Sequence, residues 1–197
     1  MFERVGLILS ISWIGTGDKM IYSSEESEKN AIMQVAHLML AAARTAPKGK
    51  GVDNIETLIL EGEDKDALAE KMREISKELN GEGPFERDSF NVDNSECVVL
   101  IGVKHSPLGM KSFCGMCGFD NCDESAKAGA SCGFNISDLG IAVGSAASIA
   151  ADNRIDNRVM FSIGKAAISK GGLFSENVRA AYGFPLSTSG KSIYFDR

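Results

Sequence analysis

The run Cys97-Val98-Val99-Leu100-Ile101-Gly102-Val103 carries no polar side chain at any position. A strand sends successive side chains to opposite faces, so a strand that is apolar at every position has to be covered on both. This predicts a central strand over Cys97–Val103. A chain of 197 residues can build such layers, because at this length roughly 70% of the unfolded surface is hidden on folding and no disulfide staple is needed. Its 44% hydrophobic and 24% charged residues are ordinary globular values.

The flanking sequence supplies the helices. Ser23 and Glu26 form a capping box, and Ile32, Val35, Ala36, Met39 and Leu40 recur at helical spacing. They predict a helix from about Ser24 to Arg44 that stops before Pro47. Ile55 to Leu60 reads as a strand, and Asp64 as the cap of a helix with Leu68, Met72, Ile75 and Leu79 on one face, ending near Gly81. A polar loop then leads to Cys97. Beyond a turn-rich segment from Lys104 to Asn135, Ser137 or Asp138 opens a helix to about Ala151. Its Gly140, Ala142, Gly144, Ser145, Ala146, Ala147 and Ser148 are small enough to admit a second helix closely. Arg158–Gly164 reads as a strand, Glu176–Tyr182 as a short helix and Ser192–Phe195 as a strand. With no repeat and no linker, residues 20–197 read as one domain.

The balance of 21 Lys and Arg against 27 Asp and Glu, net −6, argues against a general nucleic-acid or anionic-membrane binder. The apolar run Val5 to Ile14 is about half the ~20 residues a spanning helix needs, and no A-x-A cleavage signal follows it. Residues 1–19 read as an extension, with Met20 an alternative start. The expected compartment is the cytoplasm, where cysteines stay reduced and available to metals.

Cys114, Cys117, Cys122 and Cys132 fall within residues 114–132. Cys-x2-Cys lets one turn deliver two thiolates to a shared centre. Gly115 and Gly118 permit the positive φ angles that fold backbone N–H groups back toward sulfur. Such donors matter to a [4Fe–4S] cluster, whose four thiolates leave net negative charge to be stabilised. A zinc site usually takes two Cys-x2–4-Cys knuckles, whereas here Cys117 belongs to both short intervals and Cys132 stands alone. Iron–sulfur, zinc and unligated thiols remain the three readings. Cys97, inside the apolar strand, reads as a core thiol.

Two isolated signals carry less. Gly190-Lys191-Ser192 ends like a phosphate-binding loop, but Pro185 stands where the first glycine belongs. His37 and His105 read as a core or boundary residue and as turn packing.

The run Cys114-Gly115-Met116-Cys117-Gly118-Phe119-Asp120-Asn121-Cys122 resembles small iron–sulfur domains with Cys-Gly-x-Cys-Gly-Phe/Tyr-x-x-Cys; the last interval, to Cys132, is shorter here. Ala41–Pro47, the Gly/Lys loop, strand Ile55–Leu60 and the turn Tyr182-Gly183-Phe184-Pro185 resemble flavin-dependent nitroreductases. With Ile155-Asp156-Asn157-Arg158-Val159-Met160 and Gly190–Arg197, the cysteine run looks like an uncharacterised prokaryotic ferredoxin-domain family.

These resemblances imply an α+β sandwich with a central mixed sheet, a homodimer and FMN at the dimer interface. Arg44, Lys48, Gly49, Lys50 and Gly51 would then offer cations and free N–H groups to the flavin phosphate. Two nitroreductase elements are absent: paired N-terminal arginines, where Glu25, Glu26 and Glu28 stand, and Asn-x-Gln-Pro-Trp, replaced by Val52–Glu56. The resulting expectation is an iron–sulfur redox protein passing electrons to an unidentified partner, with FMN as the second cofactor that the nitroreductase resemblance implies. A zinc-stabilised assembly module and an FMN reductase with structural cysteines are the alternatives.

Overall fold

The structure, a computed structural model, describes residues 21–169 and 172–195; the expected extension over residues 1–19 lies outside them. Helix α1 (Ser24–Thr45) begins where the capping box places it, the Ser23 hydroxyl accepting the Glu26 N–H at 3.1 Å. Strand β1 (Ile55–Glu61) runs directly into α2 (Gly62–Glu78), which starts slightly before Asp64. Helix α3 (Phe85–Asp93) occupies part of the stretch expected to be loop. Only Phe85 and Val92 anchor it to the core as apolar side chains, with Asp88 and Ser89 buried between them, so it shows little hydrophobic period.

Strand β2 (Cys97–Lys104) is central, as its composition requires. Cys97, Val99, Ile101 and Val103 face a layer made by α1 and α5 (Gly133–Asp152), while Val98 and Leu100 face the layer on the other side. On the first face Ile32, Val35, Ala36, Met39 and Ala43 pack with Leu139, Ala142, Ala146 and Ala150, so α5's small residues do admit a second helix closely. By length and composition α5 resembles a membrane-spanning helix, but this face is buried in the core.

The chain's last third departs from expectation. Arg158–Gly164 is not a strand: a short β3 (Asp156–Asn157) gives way to an isolated bridge at Met160 and then α6 (Phe161–Ala167). Glu176–Tyr182 is not a helix, because residues from Val178 belong to β4 (Val178–Ser187). Ser192–Phe195 forms no strand. The cause is tertiary. A Cβ on Gly164 would lie 1.9 Å from the Ala181 carbonyl oxygen, and one on Gly183 would lie 2.1 Å from Ile163 Cγ2, so α6 sits flush on β4.

The sheet order is β1-β2-β4-β3, and every pairing among the described residues is antiparallel, which corrects the expected mixed sheet. Pro185 is tolerated inside β4. It shares the edge of Gly183, which pairs with Met160, and its missing N–H falls in the gap between that bridge and the Asp156–Ser187 pair. Past β4 the chain returns to the sheet through Tyr194, 3% exposed, whose hydroxyl meets Ser95 Oγ at 2.9 Å.

Candidate functional site

The cysteine segment connects the end of β2 to the start of α5. It contains one 3-10 turn (Lys111–Phe113) and a short helix, α4 (Cys122–Lys127), capped by Asn121, whose Oδ1 accepts the Asp123 and Glu124 N–H groups at 3.0 Å. Gly115 and Gly118 have φ of 58° and 80°, and the Gly118 N–H closes the turn on the Gly115 carbonyl at 3.0 Å. Cys132 is the N-cap of α5. A Cβ on Gly133 would stand 2.9 Å from the Met116 carbonyl oxygen, so the first turn of α5 lies against the Cys-x2-Cys turn as only glycine permits.

All four cysteines line one cavity, together with Leu108 and Phe134 among others. Against the opposing effect of burial, the Ser125 hydroxyl first and then the backbone N–H groups around the Cys117 thiol, those of Phe119 and Gly133 among them, hold its pKa below the ordinary value. The N-terminus of the 20-residue α5 adds a partial positive charge at Cys132. At Cys117 these surroundings favour the thiolate. Ser125 was not anticipated; its place one turn beyond Cys122 was the available signal.

Among the described residues, no three His, Cys, Asp or Glu side chains are gathered closely enough to hold a single metal ion. One tetrahedral zinc draws its sulfurs to within ~2.3 Å of one point, a tighter arrangement than this. The cavity measures about 20 Å³, room for a water molecule. The donor set suits a polynuclear cluster, and accommodating one requires the loops around the cavity to part.

Cys97 is fully buried, and its thiol is pushed up to about 12 by burial and then by Glu61 and Glu96. Iodoacetamide applied to the folded, metal-free protein at neutral pH is expected to modify cysteines in 114–132 and to spare Cys97. Peptide mapping that finds Cys97 alkylated without unfolding would contradict its burial.

The residues expected to bind a flavin phosphate are engaged within the chain. Lys48 Nζ caps the end of α1, donating to the carbonyls of Ala43, Arg44 and Ala46 at 3.1, 2.6 and 2.8 Å. Arg44 donates to Asp53 and to the Ile55 carbonyl. Burial raises the Asp53 carboxyl, but the bond from Arg44, the Ile55 N–H and the charges of Arg44 and Lys48 outweigh it and hold its pKa below the usual value. The Gly49 N–H donates to Asp138 Oδ1 at 2.9 Å and Lys50 Nζ to the Leu108 carbonyl at 3.2 Å, while Lys50 and Gly51 both take positive φ. The loop is brought against the cysteine cavity: a Cβ on Gly49 would meet Leu108 and Phe134 at 2.7 and 2.9 Å. His37 is exposed on α1 rather than at the core, and His105 lies at the end of β2.

The fold is that of the nitroreductases. It is shared with a nitroreductase with bound FMN from Desulfitobacterium hafniense DCB-2 (TM-score 0.54, 14% identity, 80% of this chain and 78% of that one). It is shared also with a BluB-like flavoprotein from Clostridium difficile 630 (TM-score 0.50, 17% identity, 82% and 86%) and a nitroreductase family protein from Clostridium novyi NT (TM-score 0.50, 17%, 78% and 72%). At these identities the likeness is one of fold. An uncharacterized protein of Archaeoglobus fulgidus is 41% identical over 184 residues, covering 88% of this chain and 96% of its own length. Residues 128–197 match the family described as "Uncharacterized protein containing a ferredoxin domain" (DUF2148), a stretch that includes Cys132 but not the other three clustered cysteines. The chain belongs to this ferredoxin-domain family, on a nitroreductase-like scaffold.

Proposed function

We propose that Cys114, Cys117, Cys122 and Cys132 hold an iron–sulfur cluster, of the [4Fe–4S] type, and that the protein is a cytoplasmic one-electron carrier. The observation that carries this reading is that four thiols line one cavity without converging at single-ion spacing. Such a cluster gains and loses one electron at a potential tuned by hydrogen bonds to its sulfurs and by exposure. Ser125 and the N–H groups of Phe119 and Gly133 supply those bonds at Cys117. Phe113 and Met116, 77% and 52% exposed, put the segment at the surface, within reach of a redox partner. Anaerobic reconstitution with iron and sulfide tests it: iron and sulfide should be retained in equal amounts with the visible absorption of a cluster. Retention of zinc alone would overturn it in favour of the assembly module.

FMN as a partner cofactor is the second reading, favoured by the flavin in the Desulfitobacterium hafniense relative. The cations of Arg44, Lys48 and Lys50 already have partners in this chain, so a phosphate there would have to displace carbonyls and Asp53. A flavin absorbance spectrum of the purified protein decides it.

The reading includes a homodimer formed through the outer side of α5. Ile136 and Ile141 are 44% and 43% exposed there, and an added Cβ at Gly140 or Gly144 meets nothing within 4 Å. The chain's own packing thus does not require those glycines, whereas a second helix crossing closely would. Light scattering in solution should give twice the mass of one chain; the mass of one chain would remove the dimer.

A further inference from the structure

The end of β2 carries polar groups that the cysteine site does not use. Lys104, His105, Ser131, Asn135 and Arg179 line a pocket of about 10 Å³ with the apolar residues beside them. Asn135 is 2% exposed; its Oδ1 accepts the Ser106 N–H at 3.0 Å, and its Nδ2 has no partner. Nδ1 of His105 is likewise buried without a partner. A buried amide N–H2 is costly to leave unmade, so a guest is called for.

The lining states what kind. Arg179 gives one guanidinium N–H to the Gly129 carbonyl at 3.2 Å, and Lys104 pairs with Glu56 at 3.0 Å. No carboxylate lines the pocket, and buried Asp138, one turn along α5 from Asn135, is bonded to the Gly49 N–H. Burial, and then the charge of Arg179, hold the His105 imidazole below its usual pKa. Lys104 and Arg179 only donate, and so does the free end of Asn135, since its Oδ1 is taken by the Ser106 N–H. A neutral His105 can donate from one ring nitrogen, and Ser131 can donate or accept. A guest that only accepts therefore satisfies them better than water does.

We propose that this pocket binds an oxyanion, taking one oxygen of a phosphoryl or carboxylate group against Asn135 and His105, with Arg179 and Lys104 at its mouth. The site does not depend on the iron–sulfur reading, although Ser131 places it next to Cys132. The chain's two histidines make the test direct, since exposed His37 on α1 is an internal reference. Imidazole NMR signals of the full chain are followed while inorganic phosphate, or separately acetate, replaces chloride at constant ionic strength.

A saturable displacement of His105 but not His37 is expected, and the anion that saturates at lower concentration names the phosphoryl or the carboxylate source. Arg179→Gln, at an exposed position, should weaken binding about tenfold, the scale of a charge-assisted hydrogen bond, and Asn135→Asp should abolish it. Absence of saturation with both anions, or unchanged binding in Arg179→Gln, would overturn the proposal.

Discussion

Gly164→Ala is expected to destabilise the protein by about 3 kcal/mol or more, at or above the upper end of ordinary overpacking. The new methyl group would land 1.9 Å from the Ala181 carbonyl oxygen and 2.6 Å from the Tyr182 nitrogen. Both belong to the backbone of β4, which is paired on its other side to β2 and has no side-chain rotamer with which to yield. Alanine favours helix over glycine by up to about 1 kcal/mol, too little to offset the clash. Denaturant unfolding of the two proteins measures the difference; a variant as stable as the parent would show that α6 does not sit against β4 as described.

Cys114→Ser is expected to reduce retained iron to background while leaving the metal-free fold within about 0.5 kcal/mol of the parent, as surface substitutions usually do. Cys114 is partly exposed, follows the Lys111–Phe113 turn and lies outside both hydrophobic clusters. A serine oxygen is a poorer ligand for iron than a thiolate, so the remaining three cysteines would hold the cluster weakly. Iron analysis after anaerobic reconstitution, paired with unfolding of the metal-free chain, separates lost ligation from lost folding. Undiminished iron would show that Cys114 is not required.

Much of the scaffold was legible because its signals are local. The cap at Ser23, the stripe from Ile32 to Leu40 and the unbroken apolar run of β2 each specify an element without reference to any other. The glycines of the cysteine segment were legible for the same reason, since positive φ is a demand on one residue. The failures are non-local. Nothing near Gly164 announces that a strand backbone will lie against it, and Val159 with Ile163 reads as β-branched sequence until β4 is in place. The cations after α1 looked available to a phosphate; their partners, the end of their own helix, Asp53 and the Leu108 carbonyl, are set by the folded chain. The direction of strand pairing likewise follows from the connections, not from strand composition.

Tyr194 ties residues 95 and 194 together inside the second hydrophobic cluster, beside Leu68, Met72 and Leu100. During synthesis, that layer stays unfinished until residue 194 has left the ribosome, since contacts this distant in sequence form late. A chain arrested before this tyrosine would carry an apolar gap beside its sheet, open to chaperones and proteases. The ring thus works as a seal on that layer, closed only once this late segment is in place.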